Sequence, residues 1–157
     1  MKKIFILIIL LISSNLVSYA EKIPVKIIPD QLISTCYDEI QLGDTIRFKV
    51  SEDVYLNNKL YIKKDTPVIG IINYVTNNGW SFDNAQIDLN KFKTRDIDNK
   101  IVVIDTPISI NGFDIIKYKG KKIAQFFNYI GVVFRGKEVE IIPEVDDIRY
   151  TIWYHQT

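Results

Sequence analysis

Residues 66–90 read TPVIGIINYVTNNGWSFDNAQIDLN. Val68 to Val75 is a nearly continuous run rich in β-branched side chains, which suits a central strand. Pro67 fixes the chain just ahead of that run. Gly70 inside it marks a bulge or a sharp bend, as small barrels need at their corners. Asn77-Asn78-Gly79 is a hairpin signal. Past it, Ala85, Ile87 and Leu89 alternate with Gln86, Asp88 and Asn90, the period-two pattern of a half-buried strand. Strand, turn and strand in succession make this a sheet protein.

The same rhythm extends in both directions. Ile46, Phe48 and Val50 alternate with Arg47 and Lys49. Val54–Leu56 and Leu60–Ile62 flank Asn57-Asn58-Lys59, a compact hairpin turn. Asp96–Lys100 makes another turn. Ile101–Ile104 and Pro107–Ile110 follow, with Pro107 implying an interrupted or edge strand. Asn111-Gly112 has the signature of a type I′ turn, with Phe113 and Ile115 starting the return strand. Val139–Ile142 and Arg149–Tyr154 close the chain. These candidate strands are mostly four to eight residues long.

Residues 120–134 break the pattern. Ile123, Phe126, Phe127, Ile130 and Phe134 fall at helical spacing, and Gly131 is a natural stop. One short helix near 120–131 is expected; two short strands are the alternative. The fold class is therefore mainly β: a small barrel or sandwich of short antiparallel strands with one short helix.

The N-terminus is different in kind. Lys2 and Lys3 precede an unbroken apolar run of nine, Ile4 to Ile12, then Ser13–Asn15 and the small residues Ser18 and Ala20. That is a secretory signal peptide over 1–20, cleaved after Ala20. The run is too short to cross a hydrocarbon core of about 30 Å. Residue 21 is Glu rather than Cys, so lipid attachment there is not supported. Residues 21–42, framed by Pro24 and Pro29, read as an extended N-terminal arm, either adding to a sheet edge or serving as a flexible lead-in, and 43–154 as a single β domain. Lys2 and Lys3 leave with the leader, so 18 basic side chains face 19 acidic ones and the net charge moves from +1 to −1. A near-neutral chain whose lysines are spread along the sequence lacks the footprint of a nucleic-acid binder.

The stretch Gly43-Asp44-Thr45-Ile46 with Leu60-Tyr61-Ile62-Lys63-Lys64-Asp65-Thr66-Pro67-Val68-Ile69-Gly70-Ile71-Ile72 resembles a module of exported bacterial envelope proteins. In that module a strand ends in an (I/L)-P-K-G-T-x-V-x-G-x-V turn and continues as the next barrel strand. Asn78-Gly79-Trp80 and Ala85–Leu89 fall at its next hairpin. Gly136–Ile141 with Ile148–Ile152 is similar to its closing strands. Here Lys63 replaces the usual Pro, Asp65 the usual Gly, and Val145 the Gly of the final turn. The resemblance implies a small exported β-barrel and brings no catalytic residues.

Chemistry-bearing side chains are few. One His and one Cys exclude a Cys/His zinc site and an intrachain disulfide. Cys36 reads as a buried apolar residue, or as a free thiol for a homodimer disulfide. His155 reads as an ordinary surface residue near a chain end. Asp96-Ile97-Asp98-Asn99 lacks the Gly and distal Glu of a calcium loop and reads as a solvated turn. Glu138 and Glu140 read as the solvent side of a strand, and Glu144 lies in the following turn. The aromatics read mainly as core and cross-strand pairs. Among them Tyr74, Trp80, Phe82 and Trp153 are the candidates for a binding surface.

No metal or other cofactor is expected. The expected function is an exported, non-enzymatic structural or protein-interaction module of the periplasm or cell envelope. Its partners would be envelope proteins, with membrane contact only peripheral or through them. An integral outer-membrane β-barrel and a small secreted hydrolase are the alternatives.

Overall fold

The computed structural model describes residues 22–36, 40–79, 83–112 and 136–155. The expected signal peptide, the expected helix near 120–131, and both Trp80 and Phe82 lie outside the described residues. The described chain is mainly β, and its main sheet is a nearly closed, six-stranded antiparallel barrel.

Ten strands run in chain order: β1 Lys22–Pro29, β2 Ile33–Ser34, β3 Thr45–Val50, β4 Val54–Leu56, β5 Lys59–Ile62, β6 Pro67–Thr76, β7 Gln86–Arg95, β8 Ile101–Asn111, β9 Glu140–Ile141 and β10 Tyr150–His155. The barrel order is β10-β1-β3-β6-β7-β8. With six alternating strands, β8 meets β10 antiparallel as the sheet curls round. β4 and β5 form a hairpin at one end of the barrel, where Ile97 N–H donates to the Tyr61 carbonyl. β2 and β9 pair at the other end. Val54 and Ile62 from the first cap, and Ile33 and Ile141 from the second, are buried in the common core.

The segment expected as an N-terminal arm is β1, a full member of the sheet between β10 and β3. Val25 and Ile27 are completely buried. Pro24 fits because of how its neighbour is oriented. Trp153, opposite Pro24, turns its N–H and C=O toward β8. Pro24 and Trp153 are therefore a non-hydrogen-bonded pair, and no ladder bond is lost at the proline.

Inside the barrel, Ile46, Gly70, Phe92 and Ile104 lie side by side on four neighbouring strands. A Cβ at Gly70 would sit 2.7 Å from Leu89 Cδ2, 2.8 Å from Phe92 Cε1 and 3.2 Å from Phe48 Cε2. The missing side chain is what makes room for the two rings, which meet edge to face at 6.0 Å. Phe48 also contacts Tyr150 edge to face at 6.2 Å.

The bend that the glycine suggested begins one residue later. Asn73 in β6, Asn90 in β7 and the pair Thr106-Pro107 in β8 each disturb the register near the Ile72–Leu89–Ile108 layer. After Leu89 the inward set of β7 changes phase to Phe92 and Thr94. That phase change hides the second half of the strand from a period-two reading, so β7 runs to Arg95 instead of ending near Asn90. β8 is one strand with a bulge at Thr106-Pro107 on the barrel's seam side, in keeping with the expectation for Pro107. β6, β7 and β8 have 10, 10 and 11 residues, longer than expected.

Two turn readings change. Asn57 and Asn58 both have positive φ, as the compact β4–β5 turn requires. Asn111 and Gly112 do not, so no type I′ turn forms there. β8 instead continues beside β7, with Gly112 N–H donating to the Ala85 carbonyl at 3.0 Å. Gly112 is required by close approach, since a Cβ there would collide with the Lys137 carbonyl. The Asn77-Asn78-Gly79 signal does join antiparallel neighbours, but through a longer connection from 77 to 85.

Gly70→Ala should lower stability by about 1–3 kcal/mol, the usual cost of overpacking a filled core. Urea denaturation of the two proteins measures it. An unchanged midpoint would contradict the packing described here.

Candidate functional site

Among the described residues, the inward side chains Phe48, Phe92, Ile87, Leu89 and Ile104 occupy the barrel interior and are fully buried. The outer wall and the two ends are the surfaces on which the candidate residues are compared. Of the aromatic candidates, Tyr74 lies on the outer wall of β6 and is 47% exposed, and Trp153 lies on β10 at 42%. Two strands separate them in either direction around the barrel, so the fold does not bring them together. Trp80 and Phe82 are outside the described residues. Tyr61, Tyr150 and Tyr154 pack against the core, in line with the cross-strand and core reading of the aromatics.

Four strands build the most distinctive stretch of wall. One row across β3, β6, β7 and β8 is Arg47, Ile69, Lys93 and Val103. The row on one side is Lys49, Pro67, Arg95 and Ile101; on the other it is Thr45, Ile71, Lys91 and Asp105. Read along the strands, cations on β3 and β7 alternate with aliphatics on β6 and β8. Five cations face one acid. Lys49 pairs with Asp30 at 3.5 Å, and Arg47 Nε donates to Gln31 Oε1 at 3.1 Å. Arg95 Nη1 donates to the Asn99 carbonyl at 2.9 Å. Among the described residues Lys91 and Lys93 enter no ion pair. Ile69, Val103 and Ile101 are 42%, 53% and 66% exposed.

These cations are far apart in the chain, at 47–49 and 91–95, so reading charge along the sequence misses the cluster. The available signal was the alternation itself. Arg47 and Lys49 fall on the outward phase of β3, and Lys91, Lys93 and Arg95 on the outward phase of β7 after its register change.

The other chemical groups are used structurally. Asp96 Oδ1 accepts from the Asp98 and Lys100 N–H groups at 2.9 and 2.8 Å, so this carboxylate closes its own turn. The Thr35 hydroxyl is buried, donates to Glu138 Oε2 at 2.6 Å and accepts from Val139 N–H at 3.0 Å. Val139 and Ile141 are buried and Glu140 is exposed, so the expected alternation holds there. Cys36 is exposed, contrary to the expectation of burial. Thr35 takes the inward position, and the next residue turns out. His155 ends β10 and is exposed. Among the described residues, no three His, Cys, Asp or Glu side chains lie close enough to hold a metal ion. A cleft of about 330 Å³ between β2, β3 and β6 is lined by Gln31, Leu32, Ser34, Ile40, Asp44 and Ile46, among others.

At the β4–β5 end, the Tyr61 and Tyr154 rings lie 5.4 Å apart. Burial, the hydrogen bond with Tyr154 and the nearby Asp96 all push the Tyr61 phenol above the usual tyrosine range. The folded state thus holds this proton more tightly than the unfolded chain does. Its contribution to stability is complete below about pH 10 and is lost as pH rises further. Urea midpoints should fall above that pH, and Tyr61→Phe should flatten the fall. Equal alkaline slopes in both proteins would contradict the assignment.

The chain matches no protein-family model, no curated protein and no solved structure.

Proposed function

We propose that the protein is an exported, non-enzymatic module of the bacterial cell envelope, working through surface contacts with envelope partners. The observation that carries this reading is the combination of a leader-like residues 1–20 with a side-chain-filled barrel directly behind it. The leader pattern supports export. The filled barrel leaves its outside as the working surface.

The direction of the side chains favours this reading over a lipid-embedded barrel. Strand length does not discriminate, because β6, β7 and β8 reach the length that spans a bilayer. Membrane barrels turn apolar residues outward toward lipid. Here Phe48, Phe92, Ile87 and Leu89 point in, and the outer wall, though it carries exposed Ile69, Ile101 and Val103, is interrupted by Arg47, Lys91, Lys93 and Arg95. Each such cation at mid-bilayer would cost about 2–4 kcal/mol.

Expression of the full chain in a Gram-negative host tests the proposal. The product should begin at Glu21 by N-terminal sequencing and should leave the cell envelope on osmotic shock, without detergent. Retention of residues 1–20, or extraction only in detergent with unheated-gel anomaly, would overturn it.

A further inference from the structure

We infer that the wall formed by β3, β6, β7 and β8 docks on the surface of an anionic lipid bilayer. The inference goes beyond the export reading and does not depend on it, since the wall is the same in any compartment.

Charge complementarity carries the argument. Over the chain 20 basic side chains face 19 acidic ones, yet the three rows of this wall described above hold five cations and one acid, with Asp88 in the row beyond them. The rest of the chain carries 15 basic and 18 acidic side chains, so these rows are enriched in cations over the chain as a whole. Lys91 and Lys93 stand at the centre of the wall, outside every ion pair among the described residues. Ile69 lies between the cations of β3 and β7, Ile101 and Val103 lie beside those of β7, and all three are substantially exposed. Cations flanking shallow aliphatic side chains are what an anionic headgroup layer over an acyl boundary attracts.

Three features favour a bilayer over an acidic polypeptide. First, the wall is the outside of a barrel, and the groove of about 290 Å³ beside Pro67 and Ile101 is open to solvent. An open groove of this kind differs from the well-packed, desolvated pockets in which the anchoring side chains of protein interfaces sit. Second, the exposed apolar residues beside the cations, Ile69, Ile101 and Val103, are branched aliphatics, where protein hot spots favour Trp and Tyr. Third, β6 and β7 are hydrogen-bonded to strands on both sides. An extended peptide lying on this wall therefore gains no main-chain bonds.

Sedimentation with vesicles tests the inference. The purified full-length product is mixed with phosphatidylcholine vesicles, with and without phosphatidylglycerol. It should bind the anionic vesicles selectively and be released by salt as charge is screened. Lys91→Glu/Lys93→Glu should weaken binding by about tenfold or more. Ile69→Ser/Val103→Ser should weaken it several-fold. Lys59→Glu/Lys63→Glu makes the same charge change on the β4–β5 hairpin and should leave binding within about twofold. All the positions are exposed, and thermal unfolding checks that each variant keeps the fold. Equal binding to neutral and anionic vesicles would overturn the inference. So would an equal loss in the hairpin variant, or retention on immobilised polyglutamate with no vesicle binding. The export reading is judged separately, by processing and fractionation.

Discussion

One hydroxyl group links the two edges of the main sheet. Thr106 Oγ1 donates to the Trp153 carbonyl and accepts from the Trp153 N–H, each at 3.1 Å. An open six-stranded sheet would leave β8 and β10 as unpaired edges and its apolar face uncovered. Bringing those edges together lets one set of inward side chains bury another across the barrel. Pro107 follows Thr106 and has no N–H to offer, so a side chain supplies both bonds at this point of the seam. Both bonds lie toward the outside of the seam, where a hydrogen bond contributes about 0.5–1.5 kcal/mol.

The seam can meet only if the sheet curls tightly, and the core shows how it does so. Gly70 gives up its side chain so that Phe48, Phe92 and Leu89 can converge. The register changes in β6, β7 and β8 gather in one layer next to it. Bulges raise local twist and bend a strand, and three adjacent ones turn a flat sheet into a wall that returns on itself. The curl also decides what faces out. The β7 phase change places Lys91, Lys93 and Arg95 on the outside, beside Ile69 and Val103, and so creates the cationic wall.

Much of the fold was legible in local patterns. Thr45–Val50, the Asn57-Asn58 turn and Ala85–Leu89 follow from alternation and turn chemistry, which are short-range properties. Gly70 and Pro107 were legible as places where a strand must deviate. What could not be read was set by distant neighbours. Nothing local distinguishes Lys22–Pro29 as a lead-in from Lys22–Pro29 as an interior strand; its partners lie more than a hundred residues away in β10 and some twenty away in β3. Asn111-Gly112 carries turn chemistry, yet Gly112 is used for close approach to Lys137. Cys36 looked like a core residue by type, but a register set by Thr35 turned it outward. The cationic wall was illegible for the same reason, since it exists only once β3 and β7 flank β6.

The account therefore rests on closure: a nearly closed barrel with a core of packed side chains, for which we propose the outside as the working surface. Amide hydrogen exchange at Trp153, read by NMR, tests closure most directly. The Trp153 N–H should exchange slowly, show proximity to Thr106 across the seam, and lose its protection in Thr106→Val while Thr106→Ser retains it. Fast exchange of that amide in the unmodified protein, with no β8–β10 proximities, would mean an open sheet and would contradict the account.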